Sequence, residues 1–282
     1  MNKLKYFLLT KTIGLYINLL AYINPRKASA LAYHLFSTPR DGRLLAGSLP
    51  DILKDAYRET FNHNGHEFQS YRWDGTGAVI LLVHGWESNA SRWEKMLPHL
   101  KASGSTVIAI DGPAHGLSAD GEFNVPAYAE VIDEAVKRFK PDYLIGHSIG
   151  GAACVYYQYK YQNANLRKMV VLGAPSDLKT LIQNFVSLLS LNSRMIGLLE
   201  NHFLEKFRVR LEDFSGRIFG ANLRLKGIIA HDVDDTVVAF DEGKKIAGAW
   251  KDAIFIQTKG LGHSMHDDDL YRRISEFLFV AD

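Results

Sequence analysis

A serine, an aspartate and a histidine in this sequence are placed so that they could form a nucleophile with its activating base. Ser148 lies in the pentapeptide GHSIG, between Gly146 and Gly150. A β-branched and apolar stretch precedes the pentapeptide, and a stretch with helical periodicity follows it. Glycines permit the tight turn that exposes a hydroxyl between a strand and a helix. The pattern therefore predicts that Ser148 is the nucleophile.

A serine hydroxyl reacts readily only when a base removes its proton and a carboxylate orients that base. The predicted base is His263, which stands in the glycine-rich stretch KGLGH after the last predicted strand. His266 is close in sequence, but we expect it to serve the N-terminus of the last helix. His147 is next to the serine, and side chains of neighbouring residues in a sharp turn point apart.

The carboxylate is expected at the end of the preceding strand, where the stretch HDVDDTVV offers Asp232, Asp234 and Asp235. A run of acids can bind calcium, but this one lacks the glycine and the distant glutamate of an EF-hand loop. We therefore expect no metal, and nothing in the sequence indicates another cofactor.

Composition narrows the possible partners and compartments. The 282 residues include 33 Lys and Arg against 31 Asp and Glu, a net charge of +2 that gives no reason to expect nucleic acid. The single cysteine, Cys154, cannot form an intramolecular disulfide, which fits a reducing compartment.

The elements that must position these residues alternate between strand and helix. A β-hairpin is predicted over residues 56–75, with Asn64 and Gly65 supplying the turn. Continuous apolar runs predict strands buried on both faces, and the runs lie at 78–85, 105–116, 143–146, 168–175, 225–232 and 252–260. Helices are predicted at 126–139, 240–250 and 266–280. This alternation indicates βαβ units and a mostly parallel sheet.

The segment between Pro175 and Leu223 contains no strand candidate, only apolar residues at helical spacing. Nearly fifty residues are too many for a plain loop, so two or three helices are expected. One interpretation is additional core packing. We favour a helical lid at about 178–219, because ligands bind outside the carboxyl ends of parallel strands.

The N-terminal part, residues 1–55, is predicted to be a helical segment preceding a domain over 56–282. Its first helix is expected to dock on the protein through apolar residues at helical spacing, namely Tyr6, Leu9, Ile13, Tyr16, Ile17 and Leu20. Docking would leave the protein cytoplasmic. Two alternatives stay open: residues 1–24 could bind a membrane surface, or the stretch ASA (Ala28–Ala30) could be a signal-peptidase site.

Several motifs together resemble the α/β-hydrolase fold superfamily, and the resemblance covers about residues 56–282. VHGW at 83–86 resembles the oxyanion-loop motif of that family, DGPAHGLS at 111–118 its Asp-x-Pro-Gly-His-Gly-x-Ser loop, and GHSIGG its nucleophile elbow. Ala114 departs from the glycine usual in that loop. The resemblance implies a three-layer α/β fold: a mostly parallel twisted sheet, helices on both faces and a short helical lid.

The resemblance also implies roles for individual residues. In the family pattern His-Gly-x-x-Asp-x-x-Val, Asp235 takes the acid position and Asp232 stands where glycine is usual, so Asp235 ranks first and Asp232 second. The order Ser148, Asp235, His263 matches the family order. The backbone N–H groups of Trp86 and Ile149 would form the oxyanion hole, and the Trp86 indole would line the acyl pocket.

The activity that the resemblance implies is acyl transfer on a small-molecule substrate. We expect a serine hydrolase that cleaves a carboxylic ester or thioester. Peptidases, carbon–carbon-bond hydrolases and acyltransferases use the same three side chains, because the fold and the triad do not specify the substrate. A non-catalytic binding protein of this fold is a further alternative.

Overall fold

The computed structural model describes residues 3–279 of the chain. Eight strands are found in this part: β1 (Tyr57–His63), β2 (His66–Trp73), β3 (Val79–Val83), β4 (Thr106–Ile110), β5 (Tyr143–His147), β6 (Lys168–Leu172), β7 (Lys226–Asp232) and β8 (Ala253–Thr258). The helices of the same residues are α1 (Lys3–Ile23), α2 (Pro25–Ser37), α3 (Asp51–Lys54), α4 (Leu97–Lys101), α5 (Val125–Phe139), α6 (Ile149–Tyr161), α7 (Leu178–Leu189), α8 (Ser193–Phe207), α9 (Gly216–Gly220), α10 (Phe240–Ala249) and α11 (Asp268–Phe279).

All eight strands form one sheet in the order β1-β2-β4-β3-β5-β6-β7-β8. The predicted hairpin is present as the antiparallel pair β1 and β2, and β2 also pairs antiparallel with β4. The remaining pairs, from β4 through β3 to β8, are parallel. The predicted fold class, a mostly parallel sheet of the α/β-hydrolase type, is confirmed.

The apolar runs of the central strands are continuous because both faces of the sheet are covered by helices. On one face, Ile80 and Leu82 of β3 belong to a buried cluster that includes Leu100 of α4 and Ile274 of α11. On the other face, α5 packs against α6, α6 against α9, and α10 against β7. These contacts give the three layers that the resemblance implied.

The parallel direction of β5, β7 and β8 brings three loops to one edge of the sheet. Ser148 follows the end of β5 at once, Asp235 comes three residues after the end of β7, and His263 comes five residues after β8. Neighbouring parallel strands end at the same edge, so the sheet itself gathers the three predicted side chains.

By contacts between residues, the chain divides into two compact units. One, called the sheet unit below, contains residues 39–176 and 216–282; the other, called the helical unit, contains residues 1–38 and 177–215. This division differs from the predicted one, in which residues 1–55 preceded a domain over 56–282. Residues 39–55 belong to the sheet unit, and residues 1–38 pack with the segment predicted as a lid.

The helical unit has its own apolar core. Its buried residues come from α1, α2, α7, α8 and the segment after α8, and they include Ile17, Tyr33, Ile182, Leu199 and Phe203. The two chain segments that enter and leave the α7–α8 insertion pair with each other. Leu178 N–H donates to the carbonyl of Phe214 at 3.1 Å, and the Ser215 hydroxyl donates to Asp177 Oδ1 at 2.6 Å.

The first helix does dock, and three of the six predicted residues, Ile13, Ile17 and Leu20, pack in or against the core of the helical unit. Tyr6, Leu9 and Tyr16 are 44–53% exposed, and of the predicted set only Ile17 is fully buried. The contacting face also carries small residues, Gly14 and Ala21. At Gly14, a Cβ atom would lie 1.7 Å from the Leu189 carbonyl oxygen, so only glycine allows this approach of α1 to α7.

Candidate active site

The turn between β5 and α6 holds Ser148 in a strained conformation. Its backbone has φ 53° and ψ −128°, a region that residues other than glycine rarely adopt. Two glycines make the turn possible. A Cβ at Gly146 would lie 2.7 Å from Cys154 Sγ, and one at Gly150 would lie 2.2 Å from the His84 carbonyl oxygen. The predicted elbow is therefore present, with a strain that raises the serine above the sheet edge.

The structure brings Ser148, His263 and Asp235 together in one hydrogen-bonded chain. The Ser148 hydroxyl donates to His263 Nε2 at 3.0 Å, and His263 Nδ1 donates to Asp235 Oδ2 at 2.8 Å. The Asp235 side chain is fully buried, whereas the imidazole of His263 is 20% exposed. This arrangement can pass the proton of the serine hydroxyl to the imidazole and stabilise the cation that forms.

The carboxylate of Asp235 is held ionised by its surroundings. Burial favours the neutral form, but hydrogen bonds from His231 and His263, and from the N–H groups of Val238 and Val237, outweigh burial and lower the pKa of Asp235. The two N–H groups donate to Oδ1 at 2.8 and 2.9 Å, which leaves Oδ2 for His263. The carboxylate is thus both charged and fixed in orientation.

The two other aspartates of the run lie near the site without reaching the imidazole. Asp232 Oδ2 accepts from the Thr258 hydroxyl at 2.7 Å and from the Leu261 N–H at 3.0 Å. Asp234 Oδ2 accepts from the Gly260 N–H at 3.1 Å. Both carboxylates therefore hold the loop that leads to His263, a function that the sequence pattern did not indicate.

Two further side chains hold this loop from the opposite direction. His147 Nε2 donates to the backbone carbonyl of His263 at 2.7 Å, and Arg92 donates to the carbonyl of Ser264 at 3.1 Å. Burial, and secondarily the charge of Arg92, keep the pKa of His147 well below its usual range, so the ring is neutral. The half-buried side chain of Arg92 packs against the ring of Trp93.

His266 does not contact the three predicted side chains. It precedes α11, whose first turn is capped by Asp267 Oδ1 accepting from the Leu270 N–H at 2.8 Å. The ring of His266 hydrogen-bonds to the Tyr271 hydroxyl, and burial lowers its pKa to about 4. His266 therefore contacts the start of the last helix, as expected from its position in the sequence.

The loop after β3 passes very close to the serine. A Cβ at Gly85 would lie 2.7 Å from Ser148 Cβ and 3.3 Å from its Oγ. In the chain, Trp86 directly follows Gly85 and Ile149 directly follows Ser148. The half-buried Trp86 indole packs against Phe123, with ring centroids 5.6 Å apart.

The loop after β4 is held in place by the side chain of His115. His115 Nδ1 donates to the Pro113 carbonyl at 2.8 Å, and its Nε2 accepts from the Glu87 N–H at 2.9 Å, so the ring ties this loop to the one carrying Trp86. Burial lowers the pKa of His115 to about 4. Ala114, at the family's glycine position, has φ 60°. Ala114 thus has the left-handed backbone conformation that glycine would adopt more readily.

Within residues 3–279, no group of three or more His, Cys, Asp or Glu side chains is placed to hold a metal ion. The chemistry that the described site offers is that of a nucleophile, a base and a carboxylate.

The family model for the alpha/beta hydrolase fold matches residues 78–221 of the chain. This match covers half of the sequence, and the chain belongs to that family.

Two relatives and one solved structure illustrate the similarity. A Haemophilus influenzae protein provisionally named 2-succinyl-6-hydroxy-2,4-cyclohexadiene-1-carboxylate synthase is 33% identical over 110 residues, which are 36% of this chain and 42% of that protein. An esterase of Mycobacterium tuberculosis is 28% identical over 89 residues, 30% of this chain and 29% of that protein. The chain thus spans less than half the length of these two relatives.

The bromoperoxidase structure from Bacillus anthracis superposes with a TM-score of 0.62 at 18% identity, covering 79% of this chain and 99% of that one. At this identity the likeness concerns the fold alone.

Proposed function

We propose that the protein is a serine hydrolase that cleaves a carboxylic ester or thioester through an acyl-enzyme on Ser148. The observation that carries the proposal is the unbroken chain of hydrogen bonds from the buried Asp235 through His263 to the Ser148 hydroxyl. A binding protein would have no need for a serine in a strained turn, aligned with a base. The name of the Mycobacterium tuberculosis relative, an esterase, agrees with this class.

In the first half of the reaction, Ser148 Oγ attacks the carbonyl carbon while its proton moves to His263 Nε2. Asp235 stabilises the imidazolium and keeps Nδ1 as the protonated nitrogen. The tetrahedral intermediate then collapses, and the leaving alkoxide or thiolate takes the proton from Nε2. In the second half, a water molecule transfers a proton to Nε2 and attacks the acyl carbon. The bond to Ser148 Oγ then breaks, Oγ takes the proton back from Nε2, and the acid is released.

The negative charge of the tetrahedral intermediate requires donors close to the serine. We propose the backbone N–H groups of Trp86 and Ile149, whose loops meet at the contact of Gly85 with Ser148. Ile149 is also the first residue of α6, and the N-terminus of a helix favours negative charge. Loss of one such donor typically lowers the rate by ~10²–10³.

The surroundings of Trp86 support a substrate with an apolar acyl chain. Its indole lies among Phe123 and His115, the latter with a ring centroid 6.2 Å away, and provides an apolar wall. We propose that this wall contacts the acyl chain, and that α7 and α8 act as the lid. The apolar residues of those helices, and their insertion between β6 and β7, support this function.

The experiment combines covalent labelling with hydrolysis of p-nitrophenyl esters of rising chain length. The wild-type chain should react with a fluorophosphonate probe and release p-nitrophenol. Ser148→Ala should abolish labelling and lower turnover by about 10⁴–10⁶. Ser48→Ala changes an exposed serine outside the loops that carry Ser148, Asp235 and His263 and is the matched control, with activity equal to wild type.

The outcomes separate the proposal from its alternatives. Absence of labelling in the wild type would refute a serine hydrolase and favour a binding protein. Labelling without ester hydrolysis would refute ester cleavage while keeping Ser148 as nucleophile, and peptide, carbon–carbon-bond and acyl-acceptor substrates would then be compared.

A further inference from the structure

One face of α1 is apolar and exposed. Leu8, Leu15, Leu19 and Tyr22 recur at the spacing of a single helix stripe and are 55%, 60%, 58% and 67% exposed. We call these four residues the outward face. Isolated apolar residues on a surface need no explanation, but a stripe of four large ones along a helix indicates a binding surface.

The opposite face of α1 is already occupied within the helical unit. Thr10, Gly14, Ile17 and Ala21 are buried, and α1 packs on α7 and α8. The outward face therefore does not contribute to the core of this unit. Its apolar character has to be explained by a partner outside the unit.

The charged side chains of α1 and α2 are all basic. The first forty residues contain six basic side chains, Lys3, Lys5, Lys11, Arg26, Lys27 and Arg40, and no Asp or Glu. The other 242 residues contain 27 basic and 31 acidic side chains, so the positive charge of this segment comes from its lack of acids. Lys5, Arg26 and Lys27 are exposed. An apolar stripe on α1, together with exposed cations on α1 and α2, is complementary to a bilayer that contains anionic lipids.

The contacts of α1 distinguish lying on a membrane from crossing it. By length and composition alone, Leu4–Ile23 could cross a membrane, with 28% of the span buried. However, Lys11 Nζ donates to the Leu188 carbonyl at 2.9 Å and the Ser190 hydroxyl at 2.8 Å, and Asn18 Nδ2 donates to the Ser190 carbonyl at 2.9 Å. A spanning α1 would either lose these contacts or carry the polar turn after α7 into the hydrocarbon.

We propose that the outward face of α1 inserts into the surface of a bilayer containing anionic lipids, with α1 parallel to the membrane plane and still packed on α7 and α8. The interaction is independent of the chemistry at Ser148. Each exposed cation near an anionic surface contributes about a fivefold change in binding, and the leucines add the apolar part.

The test is co-sedimentation of the full chain with phosphatidylcholine vesicles containing or lacking phosphatidylglycerol. Binding should require phosphatidylglycerol and fall with added salt. The double variant Leu15→Gln, Leu19→Gln should lower binding at least tenfold. The matched control is the double variant Leu45→Gln, Ile254→Gln. It changes two aliphatic side chains of the sheet unit that are 76% and 54% exposed, and it should bind like wild type.

A charge series provides the second variant set. Lys5→Gln, Arg26→Gln and Lys27→Gln together should lower binding to the anionic vesicles by about 10². The control removes three exposed lysines of the sheet unit, Lys95, Lys101 and Lys251, and should lower binding far less. Equal losses in both triple variants would show general attraction by net charge and would overturn the proposal.

A probe on the helix tests its depth and orientation. Cys154 is buried, so a cysteine introduced as Leu19→Cys can be labelled selectively with an environment-sensitive fluorophore. Vesicles should shift its emission to the blue, whereas a label at Leu45→Cys should not shift. The proposal would be overturned if the chain bound neither kind of vesicle, or if α1 mediated self-association in place of vesicle binding. It would also be overturned if the helix became accessible from both sides of the bilayer.

Discussion

The imidazole of His147 donates its Nε2 hydrogen to the backbone carbonyl of His263 at 2.7 Å, so the residue before the serine holds the backbone of the base. The two rings lie 4.9 Å apart between centroids. His147 is thereby a positioning residue, acting on the direction of His263 without touching the serine hydroxyl.

Replacing His147 by Phe should lower kcat for ester hydrolysis by about 10–100-fold, because a misplaced base loses the alignment that makes the attack effective. KM should change little. His147→Gln keeps an N–H donor and should recover most of kcat. Steady-state kinetics of the three proteins check this, and a Phe variant as active as wild type would contradict the role.

The pair Asp235→Asn and Asp232→Asn tests which carboxylate acts on the base. Asp235→Asn should lower kcat by about 10⁴, because the amide no longer favours the Nδ1-protonated imidazole. Asp232→Asn still accepts one hydrogen bond from the loop and should cost far less. Turnover and circular dichroism of both variants decide, and the reverse ranking would transfer the acid role to Asp232.

Gly85 provides a steric test of the contact between the β3 loop and the serine. In Gly85→Ala, the new Cβ would lie 2.7 Å from Ser148 Cβ, so the loop or the serine has to shift. We expect turnover to fall by ~10² or more, the effect of losing one oxyanion donor. Gly121→Ala, where a Cβ meets nothing within 4 Å, should keep wild-type turnover. Equal activity of the two variants would exclude a close approach.

The sequence was sufficient to predict which loops bring the three side chains of the site together. The apolar runs end at the loops bearing Ser148, Asp235 and His263, and parallel strands bring such loops to one edge. The residues that hold the His263 loop could not be predicted in this way. Asp232 and Arg92 act through backbone groups of Leu261 and Ser264, and such contacts depend on tertiary packing that no local pattern records.

The face of the first helix that contacts the rest of the helical unit could also not be predicted in full from the sequence. Spacing alone favoured six residues, and only Ile13, Ile17 and Leu20 of these contact the core of the helical unit. The set was too wide because α1 is apolar on nearly all sides and several stripes fit a helical period. The signal for the true face was Gly14, a small residue within the helix. Its missing side chain lets the Leu189 carbonyl approach, so close packing as well as hydrophobicity determines the face.

The last prediction concerns acid stability and His115. Burial lowers the pKa of His115 to about 4, whereas an unfolded histidine has a pKa of about 6.5. As the pH falls below about 6.5, the unfolded state therefore binds the proton first. The stability that neutral His115 contributes is complete above that pH and is lost towards pH 4, at about 1.4 kcal/mol per pH unit.

His115→Asn should remove this share of the pH dependence. We expect its free energy of unfolding to fall less steeply than that of wild type between about pH 6.5 and pH 4, by about 1.4 kcal/mol per pH unit. Urea unfolding followed by tryptophan fluorescence measures this in the sheet unit, because Trp73, Trp86, Trp93 and Trp250 all lie there. The variant can be less stable at every pH, but parallel curves for the two proteins would contradict a neutral, buried His115.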